Sequence, residues 1–213
     1  MKKIAIAVLI IGLGFNQVNA QSFIKRIADN LSGGFKVEAN MSNFFLSDMP
    51  GAKSKMNIGG TLGAFVKLDM SAHFAIQEDV LVHYKTSTLE QGVVKNDYQY
   101  SGIEIPIYAM GQWKMSKGDR FYIGVGPCPE YGIDAKYTVG GNEIDLYQKD
   151  VVTGKAPMAK LNVGAGAIMG YEFGCGIQVN AGYKMGLTNT LDEGKANASM
   201  RPNTVSFGIG YRF

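Results

Sequence analysis

Several stretches of this chain place their ionisable and amide side chains at positions of one parity, with apolar residues at the positions between. Lys36 and Glu38 alternate with Phe35, Val37 and Ala39. Gln178, Asn180 and Lys184 share a parity against Ile177, Val179, Ala181 and Tyr183. Glu104 stands between Ile103 and Ile105, and Arg212 between Tyr211 and Phe213. In a strand, residues two apart share a face. Counting by twos puts Lys36, Glu38, Lys67, Gln77, Asp79, Glu104, Glu130, Gln178, Asn180, Lys184 and Arg212 on one common side. That side carries four cations and four acids. Charges removed from water persist when paired and hydrogen-bonded. The first expectation is therefore a structural plug of salt bridges, and the alternative is a site for a small polar ligand or ion.

Other chemistries have less to build on. Only two histidines are present, His73 and His83. His83 has Asp79 and Ser87 nearby in sequence, the residue types of a nucleophilic triad, but no nucleophile elbow accompanies them. CxxC, HExxH and clustered His/Cys sets are missing, so no metal and no cofactor is expected. "GVGP" and "GAGAIMG" lack the lysine and the following helix of a phosphate loop. Cys128 and Cys175 fall on non-neighbouring segments, and two unlinked thiols are expected.

The elements that must position these residues are strands. Eight segments alternate, at 35–45, 57–68, 72–85, 98–114, 120–135, 160–171, 175–187 and 203–213. Most reach the length of about ten residues that a tilted strand needs to cross a bilayer. Short links (69–72, 115–119, 172–174) alternate with long polar ones (46–56, 86–97, 138–159, 188–202). Such segregation is the pattern of an outer-membrane barrel, with short periplasmic turns and long extracellular loops. In the longest link, "VGGNEIDLY" is able to extend as a hairpin. Aromatics near strand ends (Phe35, Phe45, Tyr84, Tyr98, Tyr100, Trp113, Phe121, Tyr171, Phe173, Tyr211, Phe213) are expected to form two interfacial girdles. Glycine is abundant, 28 of 213 residues, and falls inside the alternating runs, where it marks curvature or close approach. Pro106, Pro127 and Pro129 lie within strands four and five. A closed barrel has no edge to receive them, so a bulge with a locally broken ladder is expected. The fold class is all-β, an eight-stranded antiparallel up-and-down transmembrane barrel. Barrels of this size are filled by side chains, so an open pore is not expected.

The two ends of the chain agree with that fold. "MKKIAIAVLIIGLGFNQVNAQ" has a basic start, an apolar core and a small-residue cleavage site, which describes a secretory signal peptide over 1–20. Its loss takes Lys+Arg from 21 to 19 against 18 acids, a net charge near +1. That balance offers nothing to nucleic acid. Residues 21–34, with Phe23, Ile24, Ile27 and Leu31 at helical spacing, read equally as an amphipathic or a disordered leader before a barrel over 35–213. The final "VSFGIGYRF" puts Phe207, Ile209, Tyr211 and Phe213 on one face. It resembles the signal read by the machinery that inserts such barrels.

"FAIQEDVLVHYKT", "YSGIEIPIYAMGQWKM", "RFYIGVGPCPEYGI", "AKLNVGAGAIMGYEF" and "VSFGIGYRF" resemble successive strands of the outer-membrane β-barrel domain family of Bacteroidetes often called PorT-like. Glu78-Asp79 and Cys128 depart from residues commoner in that family. The resemblance implies the bacterial outer membrane, its lipid and the insertion machinery as surroundings, and no set activity. A structural or interaction role with an envelope protein partner is expected, acting through the loops or the periplasmic face. The alternatives are ligand binding or transport assistance in the lumen and, more distantly, lipid modification.

Overall fold

The computed structural model describes residues 27–92, 94–115, 118–149, 154–191 and 198–213. The signal-peptide expectation and residues 21–26 of the leader lie outside them; residues 27–30 form one helical turn. The first strand begins at Leu31, four residues before the expected start of the barrel, and Leu31 to Gly34 already pair with the second strand. Ten strands follow: β1 (Leu31–Ser47), β2 (Ala52–Asp69), β3 (Phe74–Gln91), β4 (Val94–Glu104), β5 (Ile107–Lys114), β6 (Arg120–Val139), β7 (Asn142–Asp145), β8 (Leu161–Glu172), β9 (Ile177–Gly186) and β10 (Ser199–Arg212). β4 and β5 are two parts of one stave, interrupted at Ile105–Pro106, and both pair with β3 and with β6. β7 only extends β6. Eight staves therefore form an antiparallel ring, which closes where β1 pairs with β10 from Gly34↔Arg212 to Ser47↔Ser199. Closure leaves no sheet edge, as lipid demands of any spanning sheet. Among the described residues no helix is long and apolar enough to cross a membrane.

Burial is inverted relative to a soluble protein. Phe35, Val37, Ile58 (75% exposed), Leu62, Val82, Ile123, Leu161, Val179 and Ile209 (64%) all face outward. An apolar surface of this extent is tolerated only against lipid. Aromatic pairs gather at the end with the short turns, Phe35 with Phe213, Trp113 with Phe121 and Tyr171 with Phe173. Tyr98 and Tyr100, expected in a girdle, are instead buried in the interior at 3% and 6% exposure. They share parity with Glu104, and a strand cannot turn residues of one parity to opposite faces.

The links expected at 46–56 and 86–97 are mostly strand. β1 and β2 are joined across 48–51, and Gln91 pairs with Val94. Above the apolar belt the outer face turns polar, with Lys53, Lys55, Thr86, Thr88, Lys95 and Asp97. Both faces are then wet or polar, so the hydrophobic alternation fades while the ladder continues. "VGGN" does form a hairpin: Val139 pairs with Asn142 around Gly140 and Gly141, both at positive φ (56° and 87°). Two central residues of positive φ match the right-handed twist of the strands they join.

The three prolines interrupt the ladder without inserting a residue. Glu104 pairs with Glu130 and Ala109 with Val125, so the register is in phase on both sides of the gap. One-residue shifts lie elsewhere, between Ser101 and Gly102 against β6 and between Met56 and Gly60 against β3. The Asp79 N–H donates to Pro106 O (3.0 Å), and the Ile105 N–H to Pro129 O (2.9 Å). These are sites of reciprocal bonding, and proline cannot return the bond. Pro106 therefore leaves the Asp79 carbonyl without its opposite donor. Pro129 does the same to Ile105 and, two residues along in register, Pro127 to Ile107.

Candidate functional site: the charge-filled lumen

All eleven polar residues selected by parity face the lumen. Lys36, Glu38, Lys67, Gln77, Asp79, Glu104, Glu130, Gln178 and Asn180 are buried, and Lys184 and Arg212 are largely so. They assemble into three groups. In the first, the Lys36 ammonium lies 3.2 Å from Glu38 and 2.5 Å from Asp79, and Gln77 donates to Asp79 at 2.8 Å. Lys36 stands on β1 and Asp79 on β3. The side chain crosses over β2, where its register partner is Gly63. Its partner on β10 is Gly210, so lysine has glycine on both flanks. A Cβ on the neighbouring Gly208 would come within 2.6 Å of Glu38 Cγ. Glycines of "VSFGIGYRF" thus leave the space that long charged chains from β1 fill.

At the end with the short turns, Glu172 receives Arg212 (2.7 Å) and Gln178 (2.8 Å), with Arg120 at 3.8 Å. Arg120 also meets Asp69 at 3.0 Å, where Gln112 donates and Lys67 lies 3.8 Å away. A polar vestibule of about 610 Å³ opens below this group, lined in part by Asp29, Ser71, Lys114 and Phe213.

The third group lies toward the loops. Lys184 meets Glu104 Oε1 at 2.7 Å. Lys85 meets Glu130 Oε2 at 2.5 Å and Glu104 Oε2 at 3.6 Å. The His83 ring lies between the two carboxylates, Nδ1 3.9 Å from Glu104 and Nε2 3.7 Å from Glu130. It stacks on Tyr100 at 5.3 Å. Above it Phe44, Tyr98, Tyr100, Met158 and Met200 form an aromatic cup. Residues from the long links fold onto the cup, with Tyr98 Oη donating to Met158 Sδ (3.6 Å) and a bridge between Met158 and Leu191.

Together the groups hold six cations (Lys36, Lys67, Lys85, Lys184, Arg120, Arg212) and six acids (Glu38, Asp69, Asp79, Glu104, Glu130, Glu172). The sequence reading missed Lys85, His83, Arg120, Asp69 and Glu172. Parity was sufficient to find His83 and Lys85, which continue the series of Gln77 and Asp79 along β3. Asp69 and Glu172 were hidden because they close strands and read as turn residues.

The triad types near His83 do not assemble. Asp79 is held by Lys36, and the ring nitrogens of His83 face Glu104 and Glu130. Cys128 is buried in the lumen wall and Cys175 is exposed in the β8–β9 turn; both are free thiols. On the outer collar above the belt, Lys55 (2.8 Å) and Lys95 (3.4 Å) flank Glu90. The hydrogen bond from Lys55 is the main reason that this carboxyl titrates below its usual range.

Phe207, Ile209, Tyr211 and Phe213 all face outward on the closing strand. The Phe213 N–H donates to Gly33 O at 2.9 Å, which ties the last residue to the first stave.

Neisserial surface protein A is similar at 11% identity and a TM-score of 0.48, covering 85% of this chain and 97% of that one. OprG of Pseudomonas aeruginosa is similar at 12% identity and 0.47, covering 86% and 94%. Ail, the attachment invasion locus protein of Yersinia pestis, is similar at 13% and 0.42, covering 85% and 98%. No curated protein matches the sequence. The family model described as an outer membrane protein beta-barrel domain matches residues 15–192. With that match over most of its length, and a closed ring of eight staves that is apolar outside and charged within, the chain belongs to the outer membrane protein β-barrel domain family.

Proposed function

We propose that this protein is a plugged barrel that works by contact, docking another envelope protein through its loop end. The observation that carries this reading is the filled lumen. Among the described residues, two voids on the loop side of the lumen are about 20 Å³ each, room for roughly one water molecule apiece. Neither a solute path nor a small-molecule cradle fits those voids, and the vestibule of about 610 Å³ lies at the opposite, turn end. Both ring nitrogens of His83 face carboxylates and not a hydroxyl or thiol. Strand length supports the choice of face. β3 has 18 residues and β6 has 20, against about ten that a crossing needs. At roughly 3.3 Å per residue and a tilt of about 40°, β3 alone spans some 45 Å of height against an apolar band of about 25 Å. The surplus, on the side of Lys55, Glu90, Lys95 and the β6–β7 hairpin, is a rigid polar collar. Export through a cleaved signal peptide, insertion through the closing strand and a place among PorT-like proteins of Bacteroidetes belong to the same reading.

The test is a cross-linking pull-down of the tagged protein from native outer membranes, read by mass spectrometry. A stoichiometric protein cross-linked through residues of the collar or the 138–149 hairpin supports the proposal. A barrel recovered with nothing above background, or linked only through its turn end, overturns it.

A further inference from the structure

The geometry points to a divalent transition-metal site inside the barrel, formed by His83, Glu104 and Glu130, with Lys85 as the resident cation that holds the site and yields to the ion. One nitrogen of His83 and one oxygen of each carboxylate lie within 4.8 Å of one another. Ligand atoms around a tetrahedral ion with bonds of about 2.1 Å stand roughly 3.4 Å apart. An ion takes only one ring nitrogen, so one carboxylate oxygen starts 3.7 or 3.9 Å from that nitrogen and the other within 4.8 Å, and the second flexible glutamate must swing in by more than an ångström. One imidazole and two carboxylates make a borderline donor set that suits zinc and its first-row neighbours better than calcium or magnesium. No short motif announced this site, because its three ligands come from β3, β4 and β6.

Three observations beyond the acidic pair support the assignment. The first is that His83 is 2% exposed and neither ring nitrogen has a hydrogen-bond partner. A buried imidazole facing two carboxylates with nothing bound is costly. A metal bond to one nitrogen removes the part of that cost that belongs to that nitrogen. The second is room. A void of about 20 Å³ adjoins the carboxylates, walled also by Cys128, Gly164, Gly186 and Thr204. It has space for the water that completes a three-ligand site. The third is an exit for Lys85, whose ammonium sits between Glu130 and Glu104 where the ion would sit. A second void of the same size adjoins Lys85 on the loop side and is walled by Ser87 and Tyr100. The Ser87 and Tyr100 oxygens have no hydrogen-bond partner, and the ammonium is already 5.9 Å from the Tyr100 ring centroid. Lys184 stays on Glu104 Oε1, which leaves Oε2 directed at the site.

The full chain, purified from outer membranes in detergent and stripped with chelator, is dialysed against Zn²⁺, and bound metal is counted by mass spectrometry. Native protein is expected to hold one Zn²⁺ per chain. His83→Gln and Glu130→Gln should lose it, while Lys85→Met should bind at least tenfold more tightly because the competing cation is gone. Folding of each variant is followed by its heat-dependent shift on gels, and Lys85→Met keeps both carboxylates and the histidine should a loss variant fail to fold. Stoichiometric zinc that survives His83→Gln overturns the proposal. Absence of stoichiometric zinc in native protein overturns it too, even if Lys85→Met binds.

Discussion

Replacing Glu104 with Gln removes one charge from the centre of the lumen and nearly no volume. Glu104 is 2% exposed and serves Lys184 at 2.7 Å and Lys85 at 3.6 Å. At an effective dielectric constant of 20, two unit charges 2.7 Å apart attract by about 6 kcal/mol. Desolvation of both groups offsets part of that, and measured losses on breaking a buried pair are about 3–5 kcal/mol. Lys85 keeps Glu130, so most of the cost falls on Lys184, left with no other ion-pair partner among those described. The expected destabilisation is about 3–4 kcal/mol. The double variant Glu104→Gln/Lys184→Met should recover about 2 kcal/mol or more, since the stranded charge is gone. The assay is urea unfolding of the refolded barrel in detergent, followed by tryptophan fluorescence of Trp113, the single tryptophan. Glu90→Gln, which breaks the solvent-screened pairs with Lys55 and Lys95 on the collar, is the control and should shift the unfolding midpoint far less than Glu104→Gln. A loss below about 1 kcal/mol for Glu104→Gln, or additivity of the two lumen changes, would show that the lumen is wet and its charges solvated.

Two further outcomes follow from the wall. Gly126→Ala should abolish the folded band on gels, because its Cβ would meet the Ile107 carbonyl at 1.8 Å; Gly60→Ala, with nothing within 4 Å, should leave folding intact. Deleting Phe213 should sharply reduce assembly in cells, measured by protease protection of the outer-membrane fraction, while the purified chain still folds in detergent. Equal loss in both settings would make Phe213 a residue of the closing seam alone and not part of an insertion signal.

Much of this architecture was legible because alternation is strong wherever one face meets lipid and the other meets packed charge. Stave number, antiparallel order and the short turns followed from that contrast. It fails where the contrast vanishes. Thr86, Thr88, Lys53 and Lys55 lie above the belt, and their ladder carries no apolar signature. Parity also located the lumen charges, down to Lys36 and Glu38, but not who pairs with whom. Lys36 reaches over a glycine to Asp79 two staves away, a choice set by the registers of β1 with β2 and of β2 with β3. The meeting of His83 with Glu104 and Glu130 was invisible for the same reason, since registers between β3, β4 and β6 decide it. The prolines were visible as anomalies. Their consequence, a ladder gap with intact register, required the pairing on both sides.

The measurement that bears most directly on a sealed barrel is single-channel recording of the purified protein in planar lipid bilayers. Insertion should be proved by the heat-shift of protein recovered from the membrane. With its lumen occupied by six cations and six acids, the native chain should give no conductance steps above the leak of the lipid. Regular, porin-like steps from the native chain would contradict the account at its centre.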